Sequence, residues 1–283
     1  IAIDEDLCTL CGLCVEVCLG KILEQGEEAI NIVKPGWCNL CGHCVAICPV
    51  DAIRVGRDEP APLPAEKPVT PEELQHLIRA RRSTRHYEEK PVPREAIEDL
   101  IEAARFAPTG ANMQSIAFTV VDDPQKINVI RDKVVANLEG RVRLWDSVAE
   151  AHEKEGKPIP DEYKTRVLGR DRYRNLVESA KNGRDTIFHG APAVVFLHSI
   201  PTGLTPKDDA DLMAMCMLLM AESLGLGTCL IGLLTAAATE EESLRDYIGL
   251  PKDHQVLTTM IIGYPRLKFS KAPGRKPIQV NWL

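Results

Sequence analysis

The sequence predicts an α+β fold in two modules: a small cysteine-rich one, then a larger one whose helices and strands follow each other without regular βαβ alternation. Three observations carry that reading. Eight of the ten cysteines fall within the first 48 of 283 residues, in two runs of identical spacing. A proline-rich stretch follows them, and the rest switches irregularly between helical and strand periodicity. The length suffices for one large core and a small satellite.

The first module is an internal repeat. Cys8, Cys11, Cys14 and Cys18 recur thirty residues later as Cys38, Cys41, Cys44 and Cys48, and Leu10, Gly12 and Val15 recur as Leu40, Gly42 and Val45. Each run leads into an apolar segment, Ile22-Leu23 or Ala52-Ile53, so two similar halves pack together over residues 1–56. Prolines at 60, 62, 64, 68 and 71 then remove backbone donors and fix φ, which predicts an extended connector over 57–71. The second domain is expected over 72–283.

Within it, residues 72–82 and 94–106 carry apolar stripes at helical spacing, Leu74, Leu77 and Ile78 on one and Ile97, Ile101 and Ala104 on the other. Residues 116–121 and 193–198 are β-branched apolar runs and read as buried strands. The charged segment between them, 125–182, reads as helical and partly exposed, interrupted at 156–160. Residues 208–224, with Met213, Met215, Met217 and Met220, are apolar nearly all round and predict a helix that is buried, either centrally or against a second subunit. A short strand flanked by Gly225, Gly227 and Gly232, a helix at 240–247 and a strand at 256–263 complete the chain.

Composition narrows the function. Apolar residues make up 45% and charged residues 27%, which predicts a globular chain. The net charge of −7 repels phosphate backbones and argues against nucleic acid as a partner. Residues 1–55 hold Lys21, Lys34 and Arg54 against eight acidic residues, so the small module carries −5 of that charge. The longest apolar run, 212–221, is half a bilayer span, and the first residues lack the pattern of an export signal, so no membrane partner and a cytoplasmic location are expected.

Cysteines clustered in this way point to metal rather than disulfides. In a C-x2-C-x2-C-x3-C run three thiolates serve one iron–sulfur cluster and the fourth serves the other. Cys8, Cys11, Cys14 and Cys48 are then expected on one [4Fe–4S] cluster, and Cys38, Cys41, Cys44 and Cys18 on a second. Zinc also accepts four thiolates, although zinc ribbons use longer gaps between cysteine pairs. Residues 1–56 resemble a two-cluster bacterial ferredoxin, with Leu19 in place of the proline that usually follows the fourth cysteine; Pro49 is present. His43 lies inside the second run and reads as a solvent-facing loop residue.

Four segments of the larger module stand apart from core patterning. Arg81, Arg82, Ser83 and Arg85 at a predicted helix end offer guanidinium forks and a hydroxyl to an anion such as phosphate, though a charged helix end is also an ordinary solvated face. Pro108, Thr109, Gly110, Asn112 and Gln114 form a turn with amides able to read a heterocycle's edge, or a plain loop. Residues 225–232, ending in Leu230, Ile231 and Gly232, bring bare backbone close to a flat ring, or make a tight helix-to-strand turn. Arg275 supplies a further cation, or part of a basic tail.

In this order and separation the four segments resemble the nitroreductase family of FMN-dependent oxidoreductases over residues 72–280. The resemblance implies an α+β homodimer with FMN at the subunit interface and the methionine-rich helix at the dimer core. Arg81, Arg82, Ser83, Arg85 and Arg275 would bind the FMN phosphate and ribityl chain. Pro108, Thr109, Gly110 and Asn112, with Gln114, would reach the ring across the dimer, and Leu230, Ile231 and Gly232 would face the isoalloxazine, with the Gly232 amide donating to N5. Ser115 stands where many members have proline, and 141–184 matches no motif.

Joining the two modules implies that electrons pass from an external donor (reduced ferredoxin or flavodoxin, or NAD(P)H as co-substrate) through the clusters to FMN. A small organic acceptor, a nitro compound, quinone or similar, would then be reduced without a catalytic side chain. Other flavin chemistry on the same fold, such as reductive dehalogenation or flavin breakdown, and pure electron transfer are the alternatives. Cys216 and Cys229 read as small core residues.

Overall fold

The computed structural model describes residues 1–56, 62–63 and 69–283. The rest of the expected connector, 57–61 and 64–68, lies outside the described residues. The chain divides into two compact units, Ile1–Thr70 with Ala111–Met113, and Pro71–Gly110 with Gln114–Leu283.

In the first unit the sequence repeat becomes a structural one. Strand β1 (Ala2–Ile3) leads to helix α1 (Leu13–Val17) and strand β2 (Leu23–Gln25); strand β3 (Ile30–Ile32) leads to helix α2 (His43–Ala46) and strand β4 (Ile53–Arg54). β1 pairs antiparallel with β4, and β2 with β3. Equivalent residues share unusual torsions: φ is 57° at Leu10 and 55° at Leu40, 75° at Gly12 and 73° at Gly42, 48° at Lys21 and 52° at Asp51. Left-handed glycine ahead of each helix lets the cysteine loop reverse tightly, which a Cβ would resist.

The second unit is built on an antiparallel sheet of order β5-β6-β8-β7, with β5 (Ala117–Val121), β6 (Ala193–Ser199), β7 (Gly227–Leu230) and β8 (Gln255–Gly263). Its helices are α3 (Pro71–Ala80), α4 (Arg94–Arg105), α5 (Pro124–Glu155), α6 (Asp161–Lys181), α7 (Pro206–Ser223), α8 (Gly232–Glu240) and α9 (Glu242–Tyr247). Every residue of β6 is buried. Val194 and Phe196 join a core with residues of α5 and α8, while Ala193, Val195 and Leu197 join another with residues of α4 and α7. Alternate side chains of a strand point to opposite faces, so this central strand, covered on both faces, is apolar over Ala193–Leu197, and the buried His198 and Ser199 that end it are hydrogen-bonded.

Helix boundaries follow local chemistry. Asp123 caps α5 by accepting from Gln125 N–H at 2.7 Å and Lys126 N–H at 3.3 Å, with Pro124 at the first helical position. The predicted interruption near 156–160 separates α5 from α6. α8 is an addition to the sequence-based reading: it opens at a glycine, and its only polar side chains are Thr235, Thr239 and Glu240, so it carries little amphipathic signal. The methionine-rich α7 buries Met213, Ala214, Met217 and Ala221, but Leu212 and Met215 remain exposed; Leu74 and Ile78 of α3 are exposed as well. Among the described residues no helix is long and apolar enough to cross a membrane.

Candidate functional site

The eight cysteines of the repeat line two cavities in the first unit. Cys8, Cys11, Cys14 and Cys48 border one; Cys18, Cys38, Cys41 and Cys44 border the other. Each cavity takes three thiols from one half of the repeat and the fourth from the other half, the division that the spacing predicts. Backbone N–H groups of Ile22 and Ala52, again thirty residues apart, donate to the sulfurs of Cys18 at 3.5 Å and Cys48 at 3.3 Å. Burial pushes the Cys14 and Cys44 thiols up, against backbone hydrogen bonds that pull them down. The donor set therefore fits two [4Fe–4S] clusters.

In the second unit two of the predicted segments meet. Ser83 bridges Thr228 of β7, Thr84 N–H donates to the Thr228 carbonyl at 2.9 Å, and Tyr87 Oη donates to the Thr84 carbonyl at 2.9 Å. A Cβ on Gly227 would stand 2.5 Å from Thr84 Oγ1, so glycine is required for this approach. The arginine segment is thereby seated beside the strand that runs into Leu230, Ile231 and Gly232. Burial pushes the Cys229 thiol up against the opposing pull of Arg85, a Ser83 hydrogen bond and Arg81, which shows that these three groups converge there.

Ile231 is locked in place: its N–H donates to Thr259 O at 3.0 Å and its carbonyl accepts from Thr259 Oγ1 at 2.8 Å. It is the N-cap of α8 and gives no side-chain cap, so the first amides of the helix remain available as donors. Leu230 is 46% exposed, and a Cβ at Gly232 would meet no protein atom within 4 Å. Protein packing alone does not demand glycine at 232, whereas close approach of a flat ring does. Bare amides beside converging arginines fit FMN.

Three expected ligands are placed differently. The Asn112 side-chain amide donates to the Asn39 carbonyl at 3.1 Å and the Leu40 carbonyl at 3.0 Å. Arg82 turns its guanidinium onto the end of α3, donating to the carbonyls of Arg79, Ala80 (3.0 Å) and Arg81 (2.7 Å), and to Lys271 O at 3.1 Å. With its donors spent on helix carbonyls, it caps α3 rather than facing the Ser83 side. Arg275 lies on the exposed C-terminal tail and has no side-chain partner among the described residues.

The turn at 108–115 is shaped by strain. Ala111, Asn112 and Gln114 all have positive φ, of 50°, 58° and 46°, and Thr109 Oγ1 accepts from Gln114 N–H at 3.2 Å. Gly110 packs at the start of α7, while Gly227 follows its end. The 18 residues of α7 span about 27 Å, so one chain holds the two segments at opposite ends of that helix.

Sequence reasoning missed Arg184 and His189. His189 lies within the field of Arg85, His86 and Arg184, with burial as the main force lowering its imidazole. Both residues line a cavity of about 390 Å³ with Arg172. Arg184 closes the 141–184 stretch that matches no motif, and the return of the chain before β6 brings His189 within the field of Arg85.

Known proteins share these features. The nitroreductase family profile matches residues 78–264, and a 4Fe-4S dicluster domain profile matches residues 1–49. The chain is 28% identical to FMN reductase [NAD(P)H] of Bacillus subtilis (strain 168) over 203 residues, 71% of this chain and 69% of that protein. It is 25% identical to iodotyrosine deiodinase 1 of Rattus norvegicus over 194 residues, 69% of this chain but 62% of the deiodinase, less than two thirds of its length. The fold matches a nitroreductase with bound FMN from Bacteroides fragilis NCTC 9343, with a TM-score of 0.56 and 22% identity over 74% of this chain and 99% of that one. An antiparallel sheet enclosed by helices, with a glycine-lined edge beside clustered arginines, defines a flavin-type oxidoreductase fold. The chain belongs to the nitroreductase family of FMN-dependent oxidoreductases and carries an N-terminal 4Fe-4S dicluster domain.

Proposed function

We propose that this protein reduces a small organic acceptor, such as a nitro compound or quinone, with electrons that an external donor delivers through two [4Fe–4S] clusters to FMN. Reduced ferredoxin or flavodoxin, or NAD(P)H, serves as donor. The observation that carries this reading is the pair of four-cysteine cavities in the same chain as a nitroreductase domain. The domains are 1–56 and 72–283, joined by 57–71. When bound, the clusters supply single electrons and the flavin supplies two-electron reduction of the acceptor.

Residues of this chain then bind and orient. Arg81, Ser83 and Arg85, with Arg184 and His189 beside them, hold the flavin phosphate, and Arg275 joins them when the tail folds over. Leu230, Ile231 and Gly232 lie against the ring, the Gly232 amide donating to N5. Pro108, Thr109, Gly110, Asn112 and Gln114 reach the ring of the partner subunit. That crossing is supported by the length of α7, which separates the two segments within one chain, and by the exposed apolar residues Leu74, Ile78, Leu212 and Met215, which a homodimer would cover.

Anaerobic protein should contain about eight irons and one flavin per chain. Replacing Cys41 and Cys44 by serine should abolish rapid flavin reduction by reduced ferredoxin. Bleaching by NADH that is equally fast with and without those cysteines, and no ferredoxin-driven turnover of a nitroaromatic or quinone, would defeat the relay. Arg85→Ala should weaken FMN binding by roughly 10- to 100-fold, the range for a charge-assisted contact. Similarity to iodotyrosine deiodinase supports reductive dehalogenation as a second reading; product analysis with a halophenol under anaerobic conditions separates the two.

A further inference from the structure

We propose that Asp209 is a positioning residue whose buried carboxylate clamps the 108–115 turn to the start of α7 and so sets how that turn meets the flavin ring and the acceptor. The inference rests on the reading of that turn as the ring-contacting segment. Asp209 is 3% exposed and sits in the first turns of α7. Its Oδ1 accepts from the Gly110 N–H at 2.9 Å and from the Thr205 hydroxyl at 2.9 Å. A carboxylate this buried persists only where hydrogen bonds and favourable dipoles replace water, and the N-terminal end of α7 supplies such a dipole.

The seat beneath the turn is equally tight. A Cβ on Gly110 would fall 2.2 Å from Thr205 Oγ1 and 3.4 Å from Leu204 Cβ. Glycine at 110 is therefore fixed by contact with the residues that precede α7. At the other end of the turn, Ser199, fully buried at the end of β6, donates to the Ser115 carbonyl at 3.0 Å and lies 3.1 Å from its hydroxyl. Between these two anchors stand three non-glycine residues in the left-handed region. Such torsions persist where the surroundings impose them. Asp209 and Ser199 hold the two ends of the turn, at Gly110 and Ser115.

Asp209→Ala should leave FMN content close to wild type, because the arginines that hold the phosphate are untouched. It should shift the visible absorbance of bound FMN and lower kcat/KM for a quinone by about 10- to 100-fold, the cost of a misplaced contact. Asp209→Asn, which keeps an acceptor oxygen for the Gly110 amide, should restore most of both. Gly110→Ala should reproduce the spectral shift with Asp209 intact, and adding Thr205→Ala should partly relieve it. Should Asp209→Ala and Gly110→Ala both lower the melting temperature while leaving the flavin spectrum and the quinone kcat/KM unchanged, Asp209 only stabilises the fold and the proposal fails. A spectrum that also ignores Asn112→Ala and Gln114→Ala removes the ring-contact reading itself, and the clamp's role with it.

Discussion

In the cysteine-rich unit the buried apolar cluster consists of Leu23, Ile30 and Ile53, with Cys8, Cys14, Cys44 and Cys48 packed against it. In the larger unit two cores enclose both faces of a sheet whose central strand is wholly buried. A domain of some fifty residues hides too little apolar surface to fold securely unaided, and metal binding makes up such a deficit in small domains. The large unit is held by burial. The two halves of one polypeptide should therefore fail under different treatments.

The largest expected effect separates them outright. Removing iron with a chelator under reducing conditions should abolish hydrogen-exchange protection across α1, α2 and the short strands, while β6 and β8 stay protected. Equal loss in both units would break the contrast. Conversely, Phe196→Ala, which empties a fully buried site of the large core, should cost about 3–5 kcal/mol in denaturant unfolding of that unit and leave the iron content unchanged.

A smaller effect comes from His198. It is buried, its Nε2 lies 3.0 Å from Thr119 Oγ1 and its Nδ1 lies 2.7 Å from His254 Nδ1. Burial first, and then the neighbouring imidazole, lower it to about 4. The unfolded chain takes up this proton near pH 6.5 while the folded chain refuses it until about 4, so stability should fall as pH drops through that window and level off below it. His198→Gln should flatten that slope in thermal melts of the large unit. Smallest of all, Asp123→Ala should cost about 1 kcal/mol by leaving the first amides of α5 uncapped, measured by the same denaturant titration.

What could be read in advance follows the same division. The cavities of the small unit were legible because cysteine spacing encodes ligand sharing directly, residue by residue. In the large unit β6 showed as a β-branched apolar run, since a strand covered on both faces admits few polar residues; 116–121 also forms a strand, but β5 lies at the sheet edge with only Val121 buried, contrary to the expectation of a buried strand. α8 did not show, because a helix with so few polar residues, Thr235, Thr239 and Glu240, has little periodicity to betray it. The arginine segment was recognisable, but the direction of Arg82 depends on where α3 ends and leaves carbonyls to cap. His189 and Asp209 meet Arg85 and Gly110, some ninety or more residues away in the chain, and no local pattern records such pairings. The motif identified the segments; packing decided which side chains face one another.

Shared thiols have a consequence for inheritance. Because each cavity borrows its fourth sulfur from the opposite thirty-residue half, neither half is a working unit by itself. A peptide carrying one half would have to find a second copy and trade cysteines with it. A mutation that disables one fourth cysteine injures the cavity of the other half rather than that of its own.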